Sequence, residues 1–171
     1  KSICANGGGT YANGKLYFTS YYEGMDGNLG YLYFCVLDLA TMNMNQIALH
    51  SDYYTSIATD MTYDPVGNTI YSQAYPDDAN TSTDWKYTLS TVNPATGIAS
   101  RIAQLDRMSM IACDESGNLY GVRYNDGMFC SIDKQTAKVK EIGLTGVNPK
   151  YNASGTFDYK TGKLNWTTCE R

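Results

Sequence analysis

Between Met108 and Gly146 the chain alternates short apolar runs with tight polar breaks. The run Met108 to Cys113 ends at Asp114-Glu115-Ser116-Gly117-Asn118, and an alternating segment, Leu119 to Tyr124, follows. A break at Asn125-Asp126-Gly127 leads into Met128 to Ile132, and a second, Asp133 to Ala137, leads into Val139 to Ile142. Runs this short, with period-two alternation and Gly/Asn/Asp punctuation, predict strands and turns. Four strands joined by such connections predict one antiparallel meander.

The same pattern recurs along the chain. Asn13-Gly14-Lys15-Leu16-Tyr17, Val66-Gly67-Asn68-Thr69-Ile70-Tyr71, Ser116-Gly117-Asn118-Leu119-Tyr120 and Thr161-Gly162-Lys163-Leu164-Asn165 align on glycines spaced 53, 50 and 45 residues apart. An acid precedes the turn in three copies, at Asp64, Asp114 and Asp158. Between the glycines lies a second recurring element: Leu37-Asp38-Leu39-Ala40-Thr41, Val92-Asn93-Pro94-Ala95-Thr96 and Ile132-Asp133-Lys134-Gln135-Thr136. An Asp or Asn there can accept hydrogen bonds from the backbone amides just ahead of it, which fixes an Asx-type turn.

A supersecondary unit repeated at this period implies a solenoid, a propeller or an array. A lone four-stranded meander cannot bury both of its faces, so its copies must stack on one another. The motif, an aromatic-Asp pair, a turn Gly, Leu-Tyr and then an apolar-Asp-x-x-Thr, resembles the blades of secreted or surface β-propellers of the YVTN/Kelch/WD40-like superfamily. The resemblance covers about residues 8 to 169. It implies an all-β chain forming a partial propeller of four-stranded antiparallel blades, read as one unit over residues 1–171. Blades are expected at about 8–49, 57–105 and 108–143, with a half-blade at 153–169. Three and a half blades do not close a ring, because propellers have about 4 to 8. The rest is expected from a longer polypeptide, a partner chain, or an N-terminal segment folded back.

Composition agrees with strands: Tyr and Gly each number 16, with no long Ala/Leu/Glu/Lys-rich segment. Net charge is −4 with scattered basic residues, which argues against a phosphate-backbone partner. No apolar run approaches the ~18 residues of a membrane span. The start, Lys1-Ser2-Ile3-Cys4, has no initiator methionine, so the chain is expected to be a processed product or an excised piece with an extracytoplasmic location. The five cysteines are an odd number, which forbids a fully paired disulfide framework within the chain. Cys35 and Cys130 share a slot with Ser90 and are expected to be small buried side chains on third strands. Cys113 takes the slot of Tyr63 and Phe157. Only Cys4 has no place in the repeat, and a Cys4–Cys169 bond is conceivable.

In such meanders the connections alternate ends. One set is uniformly short and is expected to be structural. The other, Tyr22 to Gly30, Ser51 to Ser56, Tyr75 to Asp84 and Leu144 to Asn152, is long and irregular. Variable loops on a rigid scaffold are where binding usually lives. The candidate ligand-binding residues are Tyr22, Tyr53, Tyr54, Asp77, Trp85 and Tyr151, with Arg107 and Arg123 nearby. Aromatic faces beside carboxylates suit a glycan or a protein partner. No G-x-S-x-G, H-E-x-x-H or P-loop pattern is present, and His50 is the single histidine. No catalytic residue, cofactor or metal is therefore assigned. The expected function is a non-catalytic binding or scaffold module, with part of a propeller glycosidase or lyase as the alternative. Carboxylate pairs for that chemistry could come from Asp26, Asp77, Asp78 and Asp84. Calcium ligation at Asp26-Gly27-Asn28 or Asp77-Asp78 lacks the spacing of an EF-hand loop. Asn80, Asn152 and Asn165 begin glycosylation sequons.

Overall fold

A computed structural model describes residues 4–21, 32–49, 58–74 and 87–168. Among them there are fourteen strands and no helix. The first sheet contains β1 (Cys4–Ala12), β2 (Lys15–Tyr21), β3 (Leu32–Asp38) and β4 (Met44–Leu49). The second contains β5 (Ala58–Asp64), β6 (Thr69–Ala74), β7 (Tyr87–Val92) and β8 (Ala99–Leu105). The third contains β9 (Met108–Cys113), β10 (Leu119–Arg123), β11 (Met128–Ile132) and β12 (Val139–Leu144). A hairpin of β13 (Ser154–Asp158) and β14 (Lys163–Thr167) follows. Each sheet is a meander in sequence order, and every pairing is antiparallel. The fold is a partial β-propeller of about three and a half blades.

The turns form as their residue types dictate. Asp64 Oδ1 accepts from Val66 N and Gly67 N at 2.9 Å each. Asp114 Oδ1 accepts from Ser116 N and Asn118 N, and Asp158 Oδ1 from Lys160 N at 2.9 Å. The first sheet has Ala12 where the others have this Asp. It turns on two residues instead, Asn13 and Gly14, both with positive φ (51° and 80°), the geometry a two-residue hairpin needs. The second turn follows its own rule: Asp38, Asn93 and Asp133 accept from the amides two residues on, Ala40, Ala95 and Gln135. Each is followed four residues later by a left-handed residue, Met42, Gly97 and Ala137. At Gly97 the glycine is obligatory for a second reason, because a Cβ would stand 2.4 Å from that of Phe34 in the first sheet.

Stacking places three apolar seams between successive sheets. Tyr17, Phe34 and Leu49 meet Met61, Ile70 and Val92. Leu89 and Leu105 meet Ile111, Leu119 and Ile132. Met110 and Val122 meet Phe157, Leu164 and Trp166. Because the second and third sheets are covered on both faces, β9 is buried at every residue and β5 at all but one. Their side chains therefore do not alternate between core and solvent as those of one-sided sheets do. Cys35 and Cys130 are fully buried on third strands and Ser90 is 2% exposed in the matching slot. Cys113 is also buried, and burial pushes its thiol up to about 12. These three thiols are free. Cys169 lies outside the described residues.

The short turns share one end of the stack and tie the sheets together. Within the first sheet Leu39 N donates to Gly14 O at 3.0 Å, and across to the second Asn13 Nδ2 donates to Asn68 Oδ1 at 3.3 Å. Lys134 Nζ, from the β11–β12 turn, donates to Asp64 Oδ2 at 2.6 Å and Gly117 O at 2.7 Å. Burial pushes the Asp64 carboxyl up, but the Gly67 amide and Lys134 outweigh it and leave it below the usual range. Because Asp64 is almost wholly buried, Lys134→Met strands a buried carboxylate. Urea denaturation is expected to show a loss of about 3 kcal/mol at pH 7, reduced toward pH 4 as Asp64 is protonated.

Candidate functional site

The innermost strands β1, β5, β9 and β13 are neighbours around one axis. In a four-stranded meander the first strand has a neighbour on one side only, so its other edge presents amides that need partners. The second sheet supplies them to β9. Asp60 Oδ2 accepts from Ile111 N at 2.8 Å, and Thr62 Oγ1 accepts from Cys113 N at 2.8 Å. Gln73 accepts from Met108 N at 2.6 Å and donates to Met108 O at 2.9 Å. All three side chains are buried.

Asp60 is the hub of this arrangement. Its Oδ1 accepts from Met61 N at 3.0 Å and lies 3.4 Å from the hydroxyl of Ser154, which donates to it. A Cβ at Gly8 would stand 2.1 Å from the same oxygen, so only glycine lets β1 pass this close. One carboxyl thus touches residues of all three sheets and the hairpin. Burial raises its pKa to about 8, against hydrogen bonds from Ile111, Met61 and Ser154 that lower it. It holds its proton at neutral pH.

On the turn side of Asp60 an axial cleft of ≈ 830 Å³ opens, with Thr10 and Tyr11 on one wall and Thr156, Asn165 and Thr167 on the other. Tyr63, Phe157 and Tyr159 also line it.

The opposite end of the stack carries the long connections. Here Arg107, between β8 and β9, lies with its guanidinium carbon 3.5 Å from the centre of the Tyr124 ring and 5.4 Å from that of Tyr87. Its Nη2 donates to Asn152 Oδ1 at 3.2 Å, while its buried Nε has no partner among the described residues. Tyr124 Oη donates to Lys150 O at 2.5 Å, and Ser109 Oγ donates to Tyr151 O at 3.1 Å. Tyr151 itself is 62% exposed. Arg107 and Tyr151, both expected ligand residues, are therefore brought to one patch, and Tyr87, Tyr124 and Asn152 join them.

Arg123 is engaged differently. It donates to both oxygens of Asp126 and, at 2.7 Å, to Glu141. Those hydrogen bonds raise its pKa and lower that of Asp126, pinning the Asn125–Gly127 turn to β12. Tyr22, Tyr53, Tyr54, Asp77 and Trp85 lie outside the described residues, as do His50, Asp26, Asp78 and Asp84. Among the described residues, no group of three His, Cys, Asp or Glu side chains could hold a metal ion.

Sequence reasoning did not single out Asp60 or Gln73. Their signal was present, since aligning the repeats sets Asp60, Thr62 and Gln73 against Met110, Ala112 and Val122. Polar residues at positions a neighbouring copy fills with apolar ones mark a hydrogen-bonded seam.

No protein-family model matches the chain, and no curated protein sequence resembles it significantly. Solved structures do. The nidogen/laminin complex aligns over 95% of this chain and 56% of its own, with a TM-score of 0.64 at 15% identity. XC5397, a gluconolactonase from Xanthomonas campestris, aligns over 93% and 52%, with a TM-score of 0.56 at 14% identity. The β-propeller domain of the Trilobed protease from Pyrococcus furiosus aligns over 95% and 56%, with a TM-score of 0.51 at 11% identity. At these identities the likeness is one of fold. The chain spans about half the length of each.

The Asp60 carboxyl sets a pH dependence with a definite sign. Its folded pKa of about 8 lies above its unfolded value of about 3.9, so between these the folded state holds more protons and stability falls as pH rises. Asp38, Asp133 and Asp158, lowered by hydrogen bonds within their turns, act oppositely and lose their contribution as pH falls below the unfolded range. Melting temperature is expected to be highest near pH 4 to 5 and to decline toward pH 8. Asp60→Asn is expected to flatten that decline, whatever it does to absolute stability.

Proposed function

We propose that the chain is a non-catalytic binding or scaffold module, part of an extracytoplasmic β-propeller of the YVTN/Kelch/WD40-like group, that recognises a protein or a glycan through the end carrying its long connections. The observation that carries this reading is the Arg107 patch. An arginine against two tyrosine rings, with Tyr151 exposed beside it, has the composition of binding hot spots, which favour Tyr, Trp and Arg over other side chains. The arginine's side chain is already ordered by Tyr124 and Asn152, so little conformational entropy remains to be lost on binding. Tyr22, Tyr53, Tyr54, Asp77 and Trp85 extend this surface in the proposal, and further blades complete the ring.

The carboxyl with the most perturbed proton affinity, Asp60, fits a structural role better than a catalytic one. It is fully buried, and both of its oxygens accept backbone amides. A group that reacts must reach its substrate. The neighbours themselves include a laminin complex and a gluconolactonase, so fold alone does not choose between binding and catalysis.

The test is a screen of the 171-residue protein against glycan and extracellular-protein arrays. Binding is expected, and Tyr151→Ala, at an exposed position, is expected to weaken it roughly tenfold or more without altering the melting temperature. Binding unchanged in Tyr151→Ala, in Arg107→Ala and in the Tyr53, Tyr54 and Trp85 alanine variants would remove the assigned surface. Turnover of a polysaccharide that is lost in Asp77→Ala or Asp78→Ala would replace the reading with a glycosidase or lyase.

A further inference from the structure

The chain between the third sheet and the hairpin is fastened at every residue from Lys150 to Ser154. Lys150 O accepts from Tyr124 Oη at 2.5 Å, and Tyr151 O accepts from Ser109 Oγ at 3.1 Å. Asn152 Oδ1 accepts from Arg107 Nη2 at 3.2 Å, and Ala153 N donates to Ser109 O at 2.7 Å. The last bond joins Ser154 Oγ to Asp60 Oδ1 at 3.4 Å. Tyr124, Ser109 and Arg107 anchor the strap to the third sheet and the approach to it, whereas Asp60 belongs to β5 of the second. One short segment therefore carries the exposed ring of Tyr151 and ends on a fully buried carboxyl at the axis.

The bond to Asp60 differs from the others in having two senses. Two partners of Asp60, Met61 N and Ile111 N, are backbone amides, which only donate. When Asp60 carries a proton, the one of its partners able to accept it is the hydroxyl oxygen of Ser154. When Asp60 is ionised, that hydroxyl turns and donates to Oδ1, and a bond of this charge-assisted kind closes to about 2.5–2.7 Å. The present 3.4 Å leaves room for that closure. Each change of protonation state thus reverses one bond, and that bond is the inner end of the strap. Burial sets the proton affinity of Asp60 at about 8. Among the described residues, the ionisable side chains on the strands around it are Tyr11 on β1, Tyr63 and Asp64 on β5, Tyr71 on β6, Cys113 on β9 and Asp158 on β13. Tyr11, Tyr63, Cys113 and Asp158 line the cleft on the turn side, and Lys134 holds Asp64 beside Tyr71. None of them adds its charge at Asp60, where burial and hydrogen bonds alone move the proton affinity.

We propose that Asp60 and Ser154 form a proton-operated latch that sets the position of the Lys150–Ser154 strap and, through it, the face that carries Tyr151. With the latch protonated, Asp60 donates to Ser154 and the strap rests on a long neutral bond. With the proton lost to solvent, Ser154 donates to the carboxylate and the strap is drawn toward Asp60. Ser109 transmits the movement, because it bonds both Ala153 and Tyr151, and Asn152 between them shifts against Arg107. Recognition at this face then varies with pH, and by linkage a bound ligand changes the proton affinity of Asp60 by the same factor. The functional meaning of the latch rests on the reading of Arg107 and Tyr151 as a recognition surface. Its test uses no ligand, so the two fail separately.

Solution NMR of the 171-residue protein tests the latch, following the side-chain carboxyl carbon of Asp60 and the backbone amides of Tyr151, Asn152 and Ala153 between about pH 3 and pH 9.5. The carboxyl is expected to titrate with a midpoint at about 8, and the three amides are expected to shift with that same midpoint. In Ser154→Ala the carboxyl is expected to titrate at a higher midpoint, because a bond that lowers it is gone, while the amide shifts are lost. Ser154→Thr keeps the hydroxyl and is expected to restore them, with circular dichroism as the folding control for both variants. Amides that stay still across the carboxyl transition overturn the proposal, as do amides that follow it equally in Ser154→Ala. A carboxyl midpoint in the ordinary range of about 4 also overturns it. The wild-type titration decides the matter if a variant misfolds, since separate midpoints for carboxyl and amides contradict the latch.

Discussion

The free amide edge of an innermost strand is the constraint on which this molecule depends. Each four-stranded meander satisfies its interior amides but leaves one edge of its first strand facing the axis, where burial makes an unpaired N–H cost about 1–3 kcal/mol. The preceding sheet answers with side chains. Asp60, Thr62 and Gln73 bond Ile111, Cys113 and Met108, and the apolar seam beneath them, from Leu89 to Ile132, excludes water from those bonds. Hydrogen bonds and packing are therefore one device. The seam makes the bonds strong, and the bonds fix which face of β9 the seam meets.

Asp60 shows how the sheets share this device. Gly8 gives up its side chain so that the carboxyl can approach β1. The carboxyl then supports its own strand at Met61, the next at Ile111, and the hairpin at Ser154. The cost is a carboxyl kept neutral by burial at ordinary pH. At the turn end the solution is ionic instead, with Lys134 neutralising Asp64 across the junction of the second and third sheets. At the end with the long connections, Arg123 pairs with Asp126 and Glu141 within the third sheet. There Arg107 is held by two aromatic rings and one amide oxygen, with no carboxylate among its hydrogen-bond partners in the described residues.

Much of the fold was legible because turn chemistry is local. Asp64, Asp114 and Asp158, and then Asp38, Asn93 and Asp133, bond amides within a few residues of themselves, so their spacing announces each strand pair without knowledge of the rest. The third-strand slot of Cys35, Ser90 and Cys130 was readable for the same reason. Asp60 and Gln73 were not, because their partners lie 51 and 35 residues away and a polar residue in a strand reads equally as a solvent-facing position. Loop length pointed to the end of the stack where Arg107 lies, but nothing local to Arg107 foretold that Tyr87, Tyr124 and Asn152 would converge on it, whereas Arg123 is bound by carboxylates close to it on its own sheet.

The most direct test of the side-chain-capped edge is amide hydrogen exchange of the native protein, resolved at Met108, Ile111 and Cys113. All three are expected to exchange only through global unfolding, and Thr62→Val is expected to release Cys113 to faster, local exchange while Ile111 stays protected. Exchange of Ile111 and Cys113 at rates typical of surface turns, or no change at Cys113 in Thr62→Val, would contradict the account.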